Sequence, residues 1–412
     1  MQITPKTSFE YEVKEENDEK YVVVKKFNGD ETEVVVPDKI DGLPVREIAF
    51  MAFYRCAELR SMTIPESVTK MNYSPEGCKS LAAIHCDSRN RNYKSVDGVL
   101  FRKDGKTLVA FPPAFSGEYV IPESVTVVHY HAFEDCAGLT AVTIPNGVTK
   151  IREFAFAGCT GLTSVTLPES VTVIEGNAFG GCTGLTSVVL PQSVKLLGGH
   201  AFCGNTGLTH VVIPKGITYL DDSFRFCSNL ASIEIPEGVK EIGVDALEYS
   251  ALSHVTIPES VQRIRAFAFN HCNLTQVVLS EGVRAIEQGA FQCTKLTSVT
   301  IPKGVMRIGN RVFGCCESLT RIECDPQNPK FQSIDGVLFS KDGKTLVAFP
   351  GGFSGEYVLP EGVTTIYGRA FYGCKGLTGI TLPEGLKTIE WSSFERLYRF
   401  NLRHASQRTG IN

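Results

Sequence analysis

The residues with the widest chemical capacity in this 412-residue chain are its 14 cysteines and 8 histidines. Thiols pair as disulfides, hold zinc or act as nucleophiles, and each use demands its own spacing. Six of them, Cys136, Cys159, Cys182, Cys227, Cys272 and Cys374, each follow a phenylalanine by three residues. In other copies of that local pattern the slot holds Asn205 or Ser250, so no bridge is required there. The series reads as a stacked column of buried thiols acting as small apolar spacers. Neighbouring members approach bridging distance, but parallel Cβ vectors disfavour the bond. The vicinal pair Cys315-Cys316 stands apart, with Cys316 on the core position and Cys315 its exposed neighbour. No Cys-x-x-Cys or His-x-x-x-His spacing calls for a metal, and no cofactor is expected.

The histidines are His85, His129, His131, His200, His210, His254, His271 and His404. None lies in a nucleophile-elbow context, and no glycine loop is placed to cradle phosphate. Gly180-Gly181 and Gly198-Gly199 read instead as tight turns between strands. A parallel β-helix acting on polysaccharide is the nearest enzyme class. It would need clustered Asp and Arg on consecutive coils, and none is visible, so the chain is read as non-catalytic. A net charge of −4 leaves no basic excess to neutralise phosphates, which argues against a nucleic-acid partner. No apolar run approaches the roughly 20 residues of a membrane-spanning helix. Met1-Gln2-Ile3-Thr4-Pro5-Lys6 shows neither the basic nor the apolar region of a signal peptide.

Positioning must come from a repeat. Pro145, Pro168, Pro191 and Pro214 fall 23 residues apart, and Pro236, Pro258, Ser280 and Pro302 continue at 22. Between them recur Ser/Gly-Val-Thr, an isoleucine, Ala-Phe, a cysteine and Leu-Thr-Ser-Val. Leu185, Val188 and Leu190 suit an extended segment with alternate side chains inward, which Pro191 then ends. Val171-Thr172-Val173-Ile174 is β-branched and predicts a second short strand on another face. Asn177-Ala178-Phe179 to Cys182 is too short for an independent helix, and a turn or one-turn helix burying Phe179 is expected. No unit buries its apolar side alone, so roughly 13 or 14 coils must stack at strand spacing.

The pattern Leu-x-x-Val/Ile-x-Leu/Ile-Pro, Val-x-x-Ile, Ala-Phe-x-x-Cys resembles the BspA-like (Treponema-type) branch of the leucine-rich-repeat family, from about residue 30 to 400. The resemblance implies a bacterial surface or secreted protein used in adhesion or ligand capture. Without a visible leader, a cytoplasmic protein-interaction scaffold is the alternative, and a polysaccharide-active enzyme ranks last. The fold expected is a β-rich solenoid of stacked 22–23-residue coils with parallel strands and short turns. An N-terminal β cap is placed at 1–45, the solenoid at 46–390 and a closing cap with tail at 391–412.

Two segments break the period alike, near 86–121 and 324–359. Each carries Asp-Gly-Val-Leu-Phe and then Lys-Asp-Gly-Lys between apolar runs. A hairpin with a type I′ turn is predicted at Lys-Asp-Gly-Lys. At the C-terminus Ser392-Ser393-Phe394-Glu395 matches a helix capping box, with Phe394, Leu397, Tyr398 and Leu402 as the apolar set of a closing helix. The candidate ligand surface is the outward column of the proline-terminated strands. Its pairs are Ser164/Thr166, Ser187/Val189, His210/Val212, Ser232/Glu234, His254/Thr256, Gln276/Val278 and Ser298/Thr300. The middle coils alone bring His210, Glu234 and His254, and Val189, Val212 and Val278 are apolar where water is expected. Ser187, Val189, His210, Val212, Glu234, His254, Thr256 and Gln276 are therefore the candidate site, for a protein or glycan ligand bound by a monomer. His210 and His254 lie two coils apart, roughly 9.6 Å, too far to share a metal ion.

Overall fold

A coil of this chain consists of two short strands and a tight turn, each stopped by a particular residue. The computed structural model describes residues 2–72, 74–397 and 401–404. It forms a β-solenoid of about 16 stacked turns, more than the 13 or 14 expected, because each inserted segment also contributes to the stack. The chain divides into two compact units, Met1–Leu208 and Thr209–Asn412.

In the first unit, Gly138–Thr143 and Ser164–Thr166 run parallel on the proline-terminated face. Lys150–Ile151, Val173–Ile174 and Leu196–Leu197 form a parallel ladder on a second face. The second unit has its own ladder of this kind, with Tyr219–Leu220, Glu241–Ile242, Arg263–Ile264, Ala285–Ile286 and Arg307–Ile308. Its inward members, such as Ile242, Ile264 and Ile286, are fully buried.

The third side of each coil is the Ala-Phe turn. Phe156 N–H donates to the Ala178 carbonyl at 2.8 Å, and Phe179 repeats the bond to Ala201 at 2.8 Å. The rings pile up in register. Phe156 and Phe179 stack at 5.1 Å with 2° between planes in the first unit, and Phe269 and Phe291 at 5.3 Å and 2° in the second. Offset stacks of this kind add about 0.5–1.5 kcal/mol per pair beyond their buried area. No helix forms because a left-handed residue stands two places before the phenylalanine and another two places after it. Around Phe156 these are Phe154 (φ 56°) and Gly158 (φ 72°). A right-handed helix cannot pass through such residues. Among the described residues the only helical pieces are the 3-10 turns Lys6–Ser8 and Asp222–Phe224. The second arises where a coil is one residue short: Phe224 follows Leu220 by four, whereas Phe202 follows Leu197 by five.

The thiols are more than spacers. Cys159 donates to the carbonyl of Phe133 at 3.0 Å, Cys182 to Phe156 at 3.1 Å, and Cys316 to Phe291 at 3.1 Å. Each binds the carbonyl of the preceding coil's phenylalanine as a second donor, beside Cys136 N–H at Phe133, Cys159 N–H at Phe156 and Thr294 Oγ1 at Phe291. Where the slot holds a hydroxyl the pattern differs: Thr294 Oγ1 donates to its own coil's Phe291 O at 2.9 Å, and Ser250 Oγ lies 3.1 Å from the Cys272 sulfur.

At the N-terminus, Phe9–Glu16 and Glu19–Phe27 pair antiparallel, and Glu19–Phe27 joins Leu43–Ile48 in parallel. The inserted segments are three-stranded meanders, not single hairpins. Tyr93–Val96, Val99–Arg102 and Thr107–Ala110 pair antiparallel in sequence order, and Phe331–Ile334, Val337–Ser340 and Thr345–Ala348 do the same. The type I′ geometry sits at Asp97-Gly98 (φ 50° and 78°) and Asp335-Gly336 (φ 50° and 79°). At Lys103-Asp104-Gly105-Lys106 only Gly105 takes positive φ, and Asp104 Oδ1 accepts from the Lys106 N–H at 2.9 Å, a bonding pattern that replaces the expected I′ turn. Each meander is tied down by one buried asparagine. Asn90 Nδ2 donates to Pro65 O and Val68 O, and its Oδ1 accepts from Asn92 and Tyr93 N–H, all within 2.9 Å. Asn328 repeats all four bonds.

The helix expected from the capping box does not form over 391–396. Ser392 takes the left-handed position (φ 53°), Ser393 Oγ donates to the Tyr367 carbonyl at 3.2 Å, and Phe394 stacks on Phe371 at 5.3 Å. The segment is one more Ala-Phe turn, and the repeat overrides the local helix signal. Tyr398 and residues 405–412 lie outside the described residues.

Candidate strand-face site

The proline-terminated strands alternate as their pattern requires. His210–Val212 and His254–Thr256 each bury only their middle valine. In the second unit His210, Val212, Glu234, His254, Thr256 and Gln276 are all exposed. In the first unit Ser187 is exposed and Val189 is 82% exposed.

The second-unit residues are not evenly spread. His210–Val212 pairs with Ser232–Glu234, opposing His210 to Ser232 and Val212 to Glu234. His254–Thr256 pairs with Gln276–Val278, opposing His254 to Gln276. Between Ser232–Glu234 and His254–Thr256 the ladder is interrupted. The strand starts His210, Ser232, His254 and Gln276 each fall 22 residues apart, so the break does not come from coil length, and similar breaks separate Ser164–Thr166 from Ser187–Val188 and Gln276–Val278 from Ser298–Ile301. Ile233, an inward residue, is only half-buried, where Val211 and Val255 are buried.

A cleft of about 420 Å³ opens at this interruption, lined by His210, Ser232, Ile233, Glu234, His254 and Thr256 among others. His210 Nδ1 lies 2.7 Å from Ser232 Oγ, and His254 Nδ1 lies 3.2 Å from Ser253 Oγ. Two imidazoles, the carboxylates of Glu234 and Glu237 and hydroxyls therefore border an apolar floor. This set donates and accepts hydrogen bonds. Among the described residues no group of three or more His, Cys, Asp or Glu is placed to hold a metal ion. A slightly larger cleft, about 480 Å³, lies in the first unit among Asp38, Lys39, Glu66, Ser67, Arg91 and Asn92, beside the first meander.

One exposed feature of the second unit has no signature in the sequence pattern. Phe226, Tyr249 and His271 occupy the left-handed position after the core residue of three consecutive coils. Their rings stack, Phe226 on Tyr249 at 5.3 Å and Tyr249 on His271 at 4.5 Å, and the Arg225 guanidinium covers Phe226 at 4.6 Å. Only knowing that this slot is left-handed would have marked three aromatic side chains there as unusual.

No curated protein matches the chain. Among solved structures, it is similar to a leucine-rich repeat protein from Bacteroides ovatus, at 20% identity and a TM-score of 0.53, over 94% of this chain and 91% of that one. It is also similar to a leucine rich cell surface protein from Faecalibacterium prausnitzii, at 24% identity and a TM-score of 0.43, over 97% and 94%. The family model for the BspA type leucine rich repeat region matches residues 32–104, 110–224, 218–343 and 348–409. With that match over most of its length, and with the Ala-Phe turns, thiol column and paired parallel ladders described above, the chain belongs to the BspA-type leucine-rich repeat family.

Proposed function

We propose that this chain is a non-catalytic, monomeric capture scaffold that binds a protein or glycan at the strand-face cleft of its second unit. The observation that carries the reading is the ladder interruption, which gathers His210, Ser232, Glu234, His254 and Thr256 around one opening. Repeat scaffolds bind through such exposed sheet faces while their cores stay constant. Val212 and Gln276 extend the contact surface along the same strands, while Ser187 and Val189 belong to the first unit and play no part in it. Family membership supports an adhesion or ligand-capture role at the cell surface or in secreted form.

The test is binding of the purified chain to a panel of matrix proteins and glycans, beside a His210→Ala/Glu234→Ala/His254→Ala variant. Saturable binding weakened at least about tenfold in the variant supports the site, since that loss corresponds to roughly 1.4 kcal/mol. Full binding by the variant moves the site elsewhere, first to the meanders. No binding to any surface ligand favours an interaction scaffold inside the cell.

A further inference from the structure

Two cysteine settings stand out. Buried thiols of the core slot donate to a carbonyl of the preceding coil, Cys316 to Phe291 and Cys272 to Leu247, and burial pushes Cys272 up to about 12 and Cys316 to about 11. Cys293 and Cys315 stand elsewhere. Each is half-buried and holds the left-handed position two residues after its phenylalanine, with φ 57° in both. Cys293 N–H donates to the Gly314 carbonyl at 2.8 Å, which fixes the two turns at coil spacing.

The surroundings of Cys315 are polar and cationic. The neighbouring Cys293 thiol and the Arg396 guanidinium both favour its thiolate, and the Lys375 ammonium, itself paired with Glu317 at 2.6 Å, adds a weaker pull. On the other side, Cys315 N–H donates to Tyr372 O at 3.1 Å. Gly373 approaches so closely that a Cβ there would sit 2.4 Å from the Cys315 sulfur. The Cys293 hydrogen bond and Arg396 outweigh partial burial and hold Cys315 down to about 6, while Cys293 is raised and keeps its proton. A half-exposed thiol beside cations and next to a second thiol is the setting in which cysteines react.

We propose that Cys315 and Cys293 form a thiol-exchange site that a low-molecular-weight disulfide closes into a reversible Cys293–Cys315 bridge. The Cys315 thiolate attacks one sulfur of the reagent, forming a mixed disulfide and releasing the reagent's other half as a thiolate. Cys293 then attacks the Cys315 sulfur, the second half of the reagent leaves, and it takes up the Cys293 proton. The reagent gains the two electrons that the two cysteines lose. Stacked coils set the two Cβ atoms near strand spacing, about 4.8 Å, beyond the roughly 3.5–4.5 Å of a relaxed disulfide. The bridge is therefore strained and readily reduced again, unlike a structural one.

The experiment treats the full chain with oxidised glutathione at pH 6.5, then blocks remaining thiols and maps peptides by mass. A Cys293–Cys315 linkage is expected, reversed by reduced glutathione. Cys293→Ser stops at glutathione bound to Cys315, and Cys315→Ser leaves Cys293 unmodified. Because these variants alter a packed turn, the unaltered chain supplies an independent reading. At pH 6.5 iodoacetamide labels Cys315 at least about ten times faster than half-buried Cys203, with half-maximal rate near pH 6. Labelling of Cys315 no faster than Cys203, or a mixed disulfide on Cys315 that never resolves onto Cys293, overturns the proposal.

Discussion

The two units build the same turn, and runs of coils within them differ in what fills its left-handed slot. Two residues after the core residue, three consecutive coils of the first unit place Gly158, Gly181 and Gly204, at φ 70–72°, after Arg55 and Asp135 in earlier coils. Five consecutive turns of the second place Phe226, Tyr249, His271, Cys293 and Cys315 there, at φ 57–60°, before Gly373 and Arg396. Glycine enters this region freely, whereas a bulky side chain is strained by about 1–3 kcal/mol. In the second unit the rings stack across coils and the guanidinium of Arg225 covers the end of the row, contacts that offset the strain. Phe226 is still 41% exposed and Tyr249 42%. The same backbone is thus chemically silent in three coils of the first unit and carries aromatic and thiol groups in five turns of the second. The core sets what the coil is, and the left-handed slot is where coils differ.

The largest effect tests whether the units are equivalent where they look identical. Asn90→Ala and Asn328→Ala each strip four hydrogen bonds from buried backbone groups, so each lowers stability by about 3–4 kcal/mol in urea unfolding. A difference above about 1 kcal/mol between the two would show that the meanders are not energetic copies. Next, Gly181→Tyr costs about 2 kcal/mol, because open space around it leaves only the backbone strain. Tyr249→Gly changes stability by less than about 1 kcal/mol, since relief of strain and loss of two stacks oppose each other. Equal costs would remove the contrast between the units.

A third prediction concerns acid. Burial holds His129 of the first unit down to about 4, while the copy in the second unit is Tyr367. Between pH 6.5 and 4 the unfolded chain binds a proton at His129 that the folded chain does not. Its neutral form therefore supports the fold fully above pH 6.5, and stability falls as pH drops toward 4. The loss is on the order of 1–2 kcal/mol after allowance for partial exposure. His129→Tyr flattens that part of the pH–stability curve. The smallest effect is at Asn205, which occupies the cysteine slot fully buried, with neither side-chain polar atom bonded among the described residues. Asn205→Cys raises stability by about 1 kcal/mol, read as a shift in urea midpoint.

Much of this was legible beforehand because a period fixes faces. Leu185, Val188 and Phe179 repeat at every coil, so their burial follows from the repeat alone, and the outward pairs follow by alternation. The cleft was legible only in part. His210, Glu234 and His254 could be placed on neighbouring strands, but the strand starts stay 22 residues apart across the break, so the repeat pattern carries no mark of the interruption. Left-handed slots left no trace when filled by Phe226 or Tyr249, since those residue types do not announce positive φ. The closing helix failed for the converse reason: Ser392 and Glu395 have the right local chemistry, but Phe394 is claimed by the stacked rings.

The thiol-to-carbonyl bonds have a mechanical meaning. Each joins a coil only to its predecessor, as the ladders and stacked rings do. A pull on one end is therefore borne by the outermost coil before the next feels it. Under tension such a chain peels in small, similar steps and re-forms by the same steps when released.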